Sequence, residues 1–131
     1  MASGLFFSLL ICLSGGLLTE ATLDCVKNGG NLASYHSKAE YDTIRGFIKT
    51  VMGYDTSSWV GGSDTAHKGV WLWSDGSEFS YGNWGSGTPN HGKHRNCMEI
   101  NYEERDYVNN IKCSKKRPYV CAKSLQMCMS C

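Results

Sequence analysis

At 131 residues the chain has room for one domain, and 41% hydrophobic with 19% charged residues is a globular composition, not a disordered one. A formal net charge of +1 excludes a binder of nucleic acid or anionic membrane driven by overall charge. The basic runs Lys93/Arg95 and Lys115–Arg117 read as a solvated face. In chain order, residues 1–21 are expected to be a signal peptide. Positions 5–18 are apolar apart from Ser and Gly, and Thr19-Glu20-Ala21 puts small residues at the −3 and −1 positions of a cleavage site, although no Lys or Arg precedes the run. The run is too short and too glycine-broken for a membrane span, which needs about 20 apolar residues.

A first helix is expected over 19–27, stopped by Asn28-Gly29-Gly30, with a short strand over 32–35. Ser37-Lys38-Ala39-Glu40 is a capping box: Ser37 accepts from the Glu40 amide while Glu40 reaches back. Tyr41, Ile44, Phe47, Ile48 and Val51 follow at helical spacing, and Gly53 ends the helix. Strands are then expected over 58–61 and 70–73, the latter turning at Ser74-Asp75-Gly76-Ser77. Residues 82–95 are polar, glycine-rich and patternless, and a loop of that length in a small domain usually carries function. Cys97 to Asn101 alternates as a strand with Cys97, Glu99 and Asn101 on one face. Tyr107-Val108 begins another strand, and 117–122 closes the core. Trp59 and Trp71 are expected in that core, and core packing is also the simpler role for Trp84. Helices first and strands afterwards imply an α+β fold.

Seven cysteines in so short a chain indicate an oxidising compartment. Loss of residues 1–21 would remove Cys12 and leave six, which permit 15 pairings on arithmetic alone. The terminal Cys128-x-x-Cys131 has no second ligand pair to complete a structural zinc site.

The order of these pieces resembles the C-type lectin-like domain. The stretches that carry the resemblance are Cys25 with Gly29-Gly30-Asn31-Leu32-Ala33-Ser34, the capped helix, Trp59-Val60-Gly61-Gly62, and Trp71-Leu72-Trp73-Ser74-Asp75-Gly76. Trp84 before Pro89-Asn90, Cys97, Asn109-Asn110-x-x-Cys113 and Tyr119-Val120-Cys121 complete the set. Within the family, small secreted fish lectins and type II antifreeze proteins look closest, although this chain has Gly85 where the antifreeze proteins tend to carry a cysteine. The resemblance implies a secreted, extracellular domain over 22–123 followed by a Cys-containing tail over 124–131. It implies disulfides Cys25–Cys121 and Cys97–Cys113. For Cys128 and Cys131 three fates stay open: pairing with each other, bridging two chains, or remaining thiols. Few residues precede Cys25, so the fold is expected to be N-terminally truncated: cleavage near Ala21 would leave the first helix a stub and the closing strand without its partner, and the alternative is that the segment is retained and 17–26 folds as the helix.

The resemblance also locates a ligand site. Where calcium-dependent relatives present E-P-N, an acidic residue and an N-D pair, this chain has Thr88-Pro89-Asn90, Arg95 and Asn109-Asn110. Three carboxylates have become Thr88, Arg95 and Asn110. Calcium prefers charged oxygen ligands, so the calcium site is expected to be lost and no cofactor is expected. His91 and His94 are expected to be solvated, not metal ligands. No catalytic motif is present, so a binding module is expected and not an enzyme. The expected partners are glycans or glycoproteins, with no nucleic acid and no membrane span. The alternatives are protein binding or a disulfide-linked oligomer, and ice binding.

Overall fold

A computed structural model describes residues 5–126; Cys128 and Cys131 lie outside them. The fold is α+β. Two helices, α1 (Leu18–Lys27) and α2 (Lys38–Met52), pack on a sheet of β1 (Leu5–Gly16), β2 (Asn31–Leu32), β3 (Ser58–Ser63), β4 (Leu72–Trp73), β5 (Cys97–Ile100), β6 (Asn109–Ile111) and β7 (Arg117–Gln126). The main order is β1-β7-β3-β5-β6, with β2 also on β7 and β4 on β3. Among the described strands β3 and β7 are joined in parallel, at Trp59 opposite Tyr119, and the other strand pairs are antiparallel.

The segment read as a signal forms β1, which runs against β7 from Leu5 opposite Gln126 to Gly16 opposite Arg117. With β1 in place, α1 has its full length and β7 has a partner. Glu20 accepts from the Leu17 amide at 3.0 Å and so caps the helix start. Asn28 caps its end, and Gly29 turns the chain at φ +81°. The expected domain start at residue 22 falls inside α1. Ala21 is fully buried, and the Trp59 indole donates to the Gly16 carbonyl at 3.0 Å, so the core uses groups ahead of that boundary.

Helix α2 runs as its signals require. Ser37 accepts from the Glu40 amide, and Gly53 ends the helix in the left-handed region at φ +86°. One half of the expected box differs: Glu40 accepts from the His36 amide (3.2 Å), not from Ser37, and also meets His36 Nδ1 at 3.1 Å.

Two packed clusters fill the interior. Tyr35, Tyr41, Ile48, Val60, Trp73, Met98, Ile100, Val108 and Val120 form the larger one. Ala21, Leu32, Trp59, Tyr119 and the cysteines Cys25, Cys97 and Cys121 form the other. Both expected disulfides are present, Cys25–Cys121 across 96 residues and Cys97–Cys113 across 16. Trp59 is core as expected. Trp71 is only half-buried, and Trp73 takes the interior position against Tyr35. Strand β4 begins at Leu72, so Trp71 precedes it, and alternation along β4 sends Trp73 inward and leaves Leu72 half exposed.

The segment after β5 is pinned to α2 by a charged clamp. Arg45 Nε donates to Asn101 Oδ1 at 2.7 Å, with Asp55 and Asp106 as ionic partners at 3.3 and 3.6 Å. The Tyr41 hydroxyl donates to Asp106 at 2.7 Å. Burial first, then the bond to Asp106, push the Tyr41 phenol well above its usual range, so it remains a donor. The clamp holds a segment in which Asn101, Glu103 and Glu104 all have left-handed φ. Asn101 was expected to continue the β5 alternation; instead it leaves the strand there.

Candidate functional site

The loop between β4 and β5 is assembled on β6. Trp84 bridges to Val108, and the Gly85 amide donates to the Val108 carbonyl at 3.0 Å. Trp84 packs edge-on against Trp71, with ring centroids 4.8 Å apart, so it anchors the loop and is half-buried. Tyr107 lies flat over Gly85: a Cβ at that position would sit 2.5 Å from the Tyr107 ring. This crowding is the physical reason that a glycine follows Trp84 here. Gly85→Ala is expected to displace the Tyr107 ring and its hydrogen bond to the Ser86 carbonyl, lowering stability by about 1–3 kcal/mol in a thermal melt.

Three of the five sequence-predicted positions, Asn90, Arg95 and Asn110, meet. Asn110, fully buried, is their centre. Its amide oxygen accepts from the Asn90 N–H at 2.6 Å. Its amide nitrogen donates to the carbonyls of Asn90 (2.7 Å) and Arg95 (2.8 Å). One neutral side chain thus ties two points in the second half of the loop to β6. The Thr88 hydroxyl lies 2.7 Å from the Gly85 carbonyl and 2.9 Å from that of Val108, and it has a single proton to give them. Asn90 Oδ1 accepts from the Gly92 amide at 2.7 Å. Arg95 is half-buried, with its stem against Gly92 and Nη1 3.4 Å from the Asn110 carbonyl.

Asn109 does not join them. It precedes Asn110 on β6, so strand alternation turns it to the opposite face. There its Nδ2 donates to Glu99 Oε2 at 2.9 Å, and Arg117 Nε donates to Glu99 Oε1 at 2.9 Å. Glu99 is fully buried, so this pairing supplies the countercharge its carboxylate needs. Sequence reasoning missed Glu99 and Arg117 as partners. The signal was a lone acid amid Cys97, Met98 and Ile100, with a cation on the closing strand.

A third missed residue is Lys68. Its ammonium spans from the 64–70 turn to the long loop, 3.2 Å from both the Gly92 carbonyl and Asn96 Oδ1. It lies 3.7 Å from Asp64, a carboxylate that is almost wholly buried and also accepts from the Gly69 amide at 2.9 Å. A cation therefore sits among three oxygens where the turn meets the loop. His91 and His94 are both exposed.

A Ser–His–Glu chain also occurs: His36 Nε2 is 2.8 Å from Ser77 Oγ, and Nδ1 is 3.1 Å from Glu40. The Ser77 hydroxyl, however, gives its one proton to the Asp75 carboxylate, which can only accept. His36 Nε2 must then donate to Ser77, and so it has no lone pair with which to activate it. The cluster, with Ser34 also donating to Asp75, fastens the 74–77 turn to the start of α2.

The family description "Lectin C-type domain" matches residues 17–123, beginning ahead of the start expected at residue 22. The galactose-specific lectin nattectin of Thalassophryne nattereri is 40% identical over 107 residues, 81% of this chain and 67% of that protein. Ladderlectin of Oncorhynchus mykiss is 41% identical over 95 residues, 72% of this chain, which spans only 50% of ladderlectin. Among solved structures, herring type II antifreeze protein superposes with a TM-score of 0.82 at 26% identity, over 96% of this chain and 95% of that one. With a match of this extent on an α+β body closed by two disulfides, the chain belongs to the C-type lectin domain family.

Proposed function

We propose that the chain is a secreted, non-enzymatic carbohydrate-recognition module whose ligand loop is held without calcium. The observation that carries this reading is the Asn110 staple. A neutral amide makes three hydrogen bonds to the loop backbone, so its oxygen is already engaged. Calcium takes six to eight oxygens and binds more tightly as more of them are charged. Thr88, Asn90, Asn109 and Asn110 offer no carboxylate, and Arg95 adds a fixed cation. A unit charge about 4 Å from a divalent ion costs about 8 kcal/mol at an effective dielectric of 20. These residues do not fit the ion.

Carbohydrate recognition is supported by the family and by the likeness to nattectin, a galactose-specific lectin. Secretion is supported by the two disulfides. Among the described residues no helix is long and apolar enough to cross a membrane. Ice binding fits the loop less well, because ice favours flat, small, neutral groups while His91, Lys93 and His94 project from it.

A glycan array that includes galactose-terminated structures, run in calcium and again in EDTA, tests the proposal. Binding to a defined glycan class that survives the chelator is expected. No glycan binding, or binding that vanishes in EDTA and returns with calcium, would overturn it.

A further inference from the structure

We infer that the loop end of the domain recognises anionic saccharides, through a face made by Lys68, Lys93, Arg95 and Lys112 around Asn96. This deepens the carbohydrate-recognition reading and rests on it. Between Glu78 and Glu99 the chain has no acidic residue, and beyond Asp106 it has none at all. Asp64 and Glu99 are buried and each has a cation beside it, Lys68 and Arg117. Among the described residues, Lys93, Arg95 and Lys112 have no carboxylate within ion-pair distance. At this end of the domain the near-neutral total therefore hides an excess of exposed cations.

Hydrogen bonds and packing bring Lys68, Arg95 and Lys112 together around Gly92 and Asn96, and Lys93 is exposed next to Gly92 in the chain. The Lys68 ammonium lies 3.2 Å from both the Gly92 carbonyl and Asn96 Oδ1. Arg95 folds its stem over Gly92. Asn96 also lines an open cleft of about 330 Å³ with His94, Lys112 and Ser114. Lys112 and the Ser114 hydroxyl at this cleft, with the Lys68 ammonium on Asn96 beside it, suit a sulfate or carboxylate carried on a sugar ring. Exposed like charges close together also raise the local potential and speed capture of an anion, an effect that weakens with salt.

The test is retention of the full chain on immobilised heparin, desulfated N-acetylated heparin, neutral dextran and duplex DNA across a salt series. Retention on heparin well beyond dextran is expected. Retention on the desulfated polymer would identify the carboxylate, and its absence the sulfate, as the group recognised. The double variant Lys93→Glu/Lys112→Glu should bind at least tenfold more weakly with an unchanged melting curve, and Lys49→Glu on α2 should bind as the parent does. Equal loss in Lys49→Glu, or DNA held as tightly as heparin, would mean unspecific charge adsorption and overturn the inference. A chain that binds neutral glycans on the array but ignores heparin would also overturn it while leaving carbohydrate recognition intact. Absence of binding to any saccharide would remove both.

Discussion

Replacing Cys25 and Cys121 by alanine is expected to cost about 4–5 kcal/mol, against about 3 kcal/mol for the Cys97/Cys113 pair. The chain-entropy relation gives those figures for closed loops of about 100 and about 15 residues, and the two bridges here span 96 and 16. Both cysteines of the long bridge are buried in the cluster that holds Trp59 and Tyr119, so alanine keeps the site apolar but leaves it underfilled. Domains of this size have about 5–15 kcal/mol of net stability, so loss of the long bridge removes about a quarter of it or more. A fall in melting temperature of roughly 15 °C should follow for the long bridge and roughly 10 °C for the short one. The second loss should be more local, because Cys97 and Cys113 flank the β5–β6 pair on which the loop is built. Thermal melts of both double variants check the order. Equal shifts, or a larger shift for the short bridge, would show that native-state packing and not the unfolded chain sets the stabilisation.

The elements that could be read from the chain are those governed by local rules. Ser37 and Gly53 bracket α2 because a cap oxygen and a left-handed glycine act within one turn of helix, with no need of the rest of the fold. The disulfide partners came only with the family resemblance, since six cysteines by themselves leave 15 pairings open. Side-chain direction was less legible. Adjacent asparagines on β6 look equivalent in sequence, yet alternation sends Asn110 to the loop and Asn109 to a buried acid. The choice of Trp73 over Trp71 for the interior depends likewise on where β4 begins, a matter of one residue. Lys68 was invisible because its partners, Gly92 and Asn96, lie more than 20 residues away on a loop with no pattern to place it.

Asn110 is where a single substitution should reveal most about the loop. Asn110→Ala removes three hydrogen bonds at a fully buried position and leaves the Asn90 amide and the Asn90 and Arg95 carbonyls unmatched. Each net bond contributes about 1 kcal/mol, and water can reach part of the freed backbone, so a loss of about 3 kcal/mol is expected. The loop amides should also gain hydrogen exchange ahead of those in α2. Asn110→Asp separates charge from shape. The carboxylate keeps the size and the acceptor for the Asn90 amide, but it turns a lone pair toward two carbonyls where a donor stood. At neutral pH it should cost at least as much as alanine. Crowding by those carbonyls disfavours the charged form, so the folded pKa of the new carboxyl lies above its unfolded value of about 3.9. Any stability it contributes is then present below about pH 4 and lost as pH rises through the folded pKa. The gap between this variant and the parent should therefore narrow on acidification, whereas the gap for Asn110→Ala should hardly change. Parallel urea titrations of the three proteins from pH 7 to pH 3.5 measure both gaps. If aspartate and alanine track each other across that range, the Asn110 amide protons are not what hold the loop.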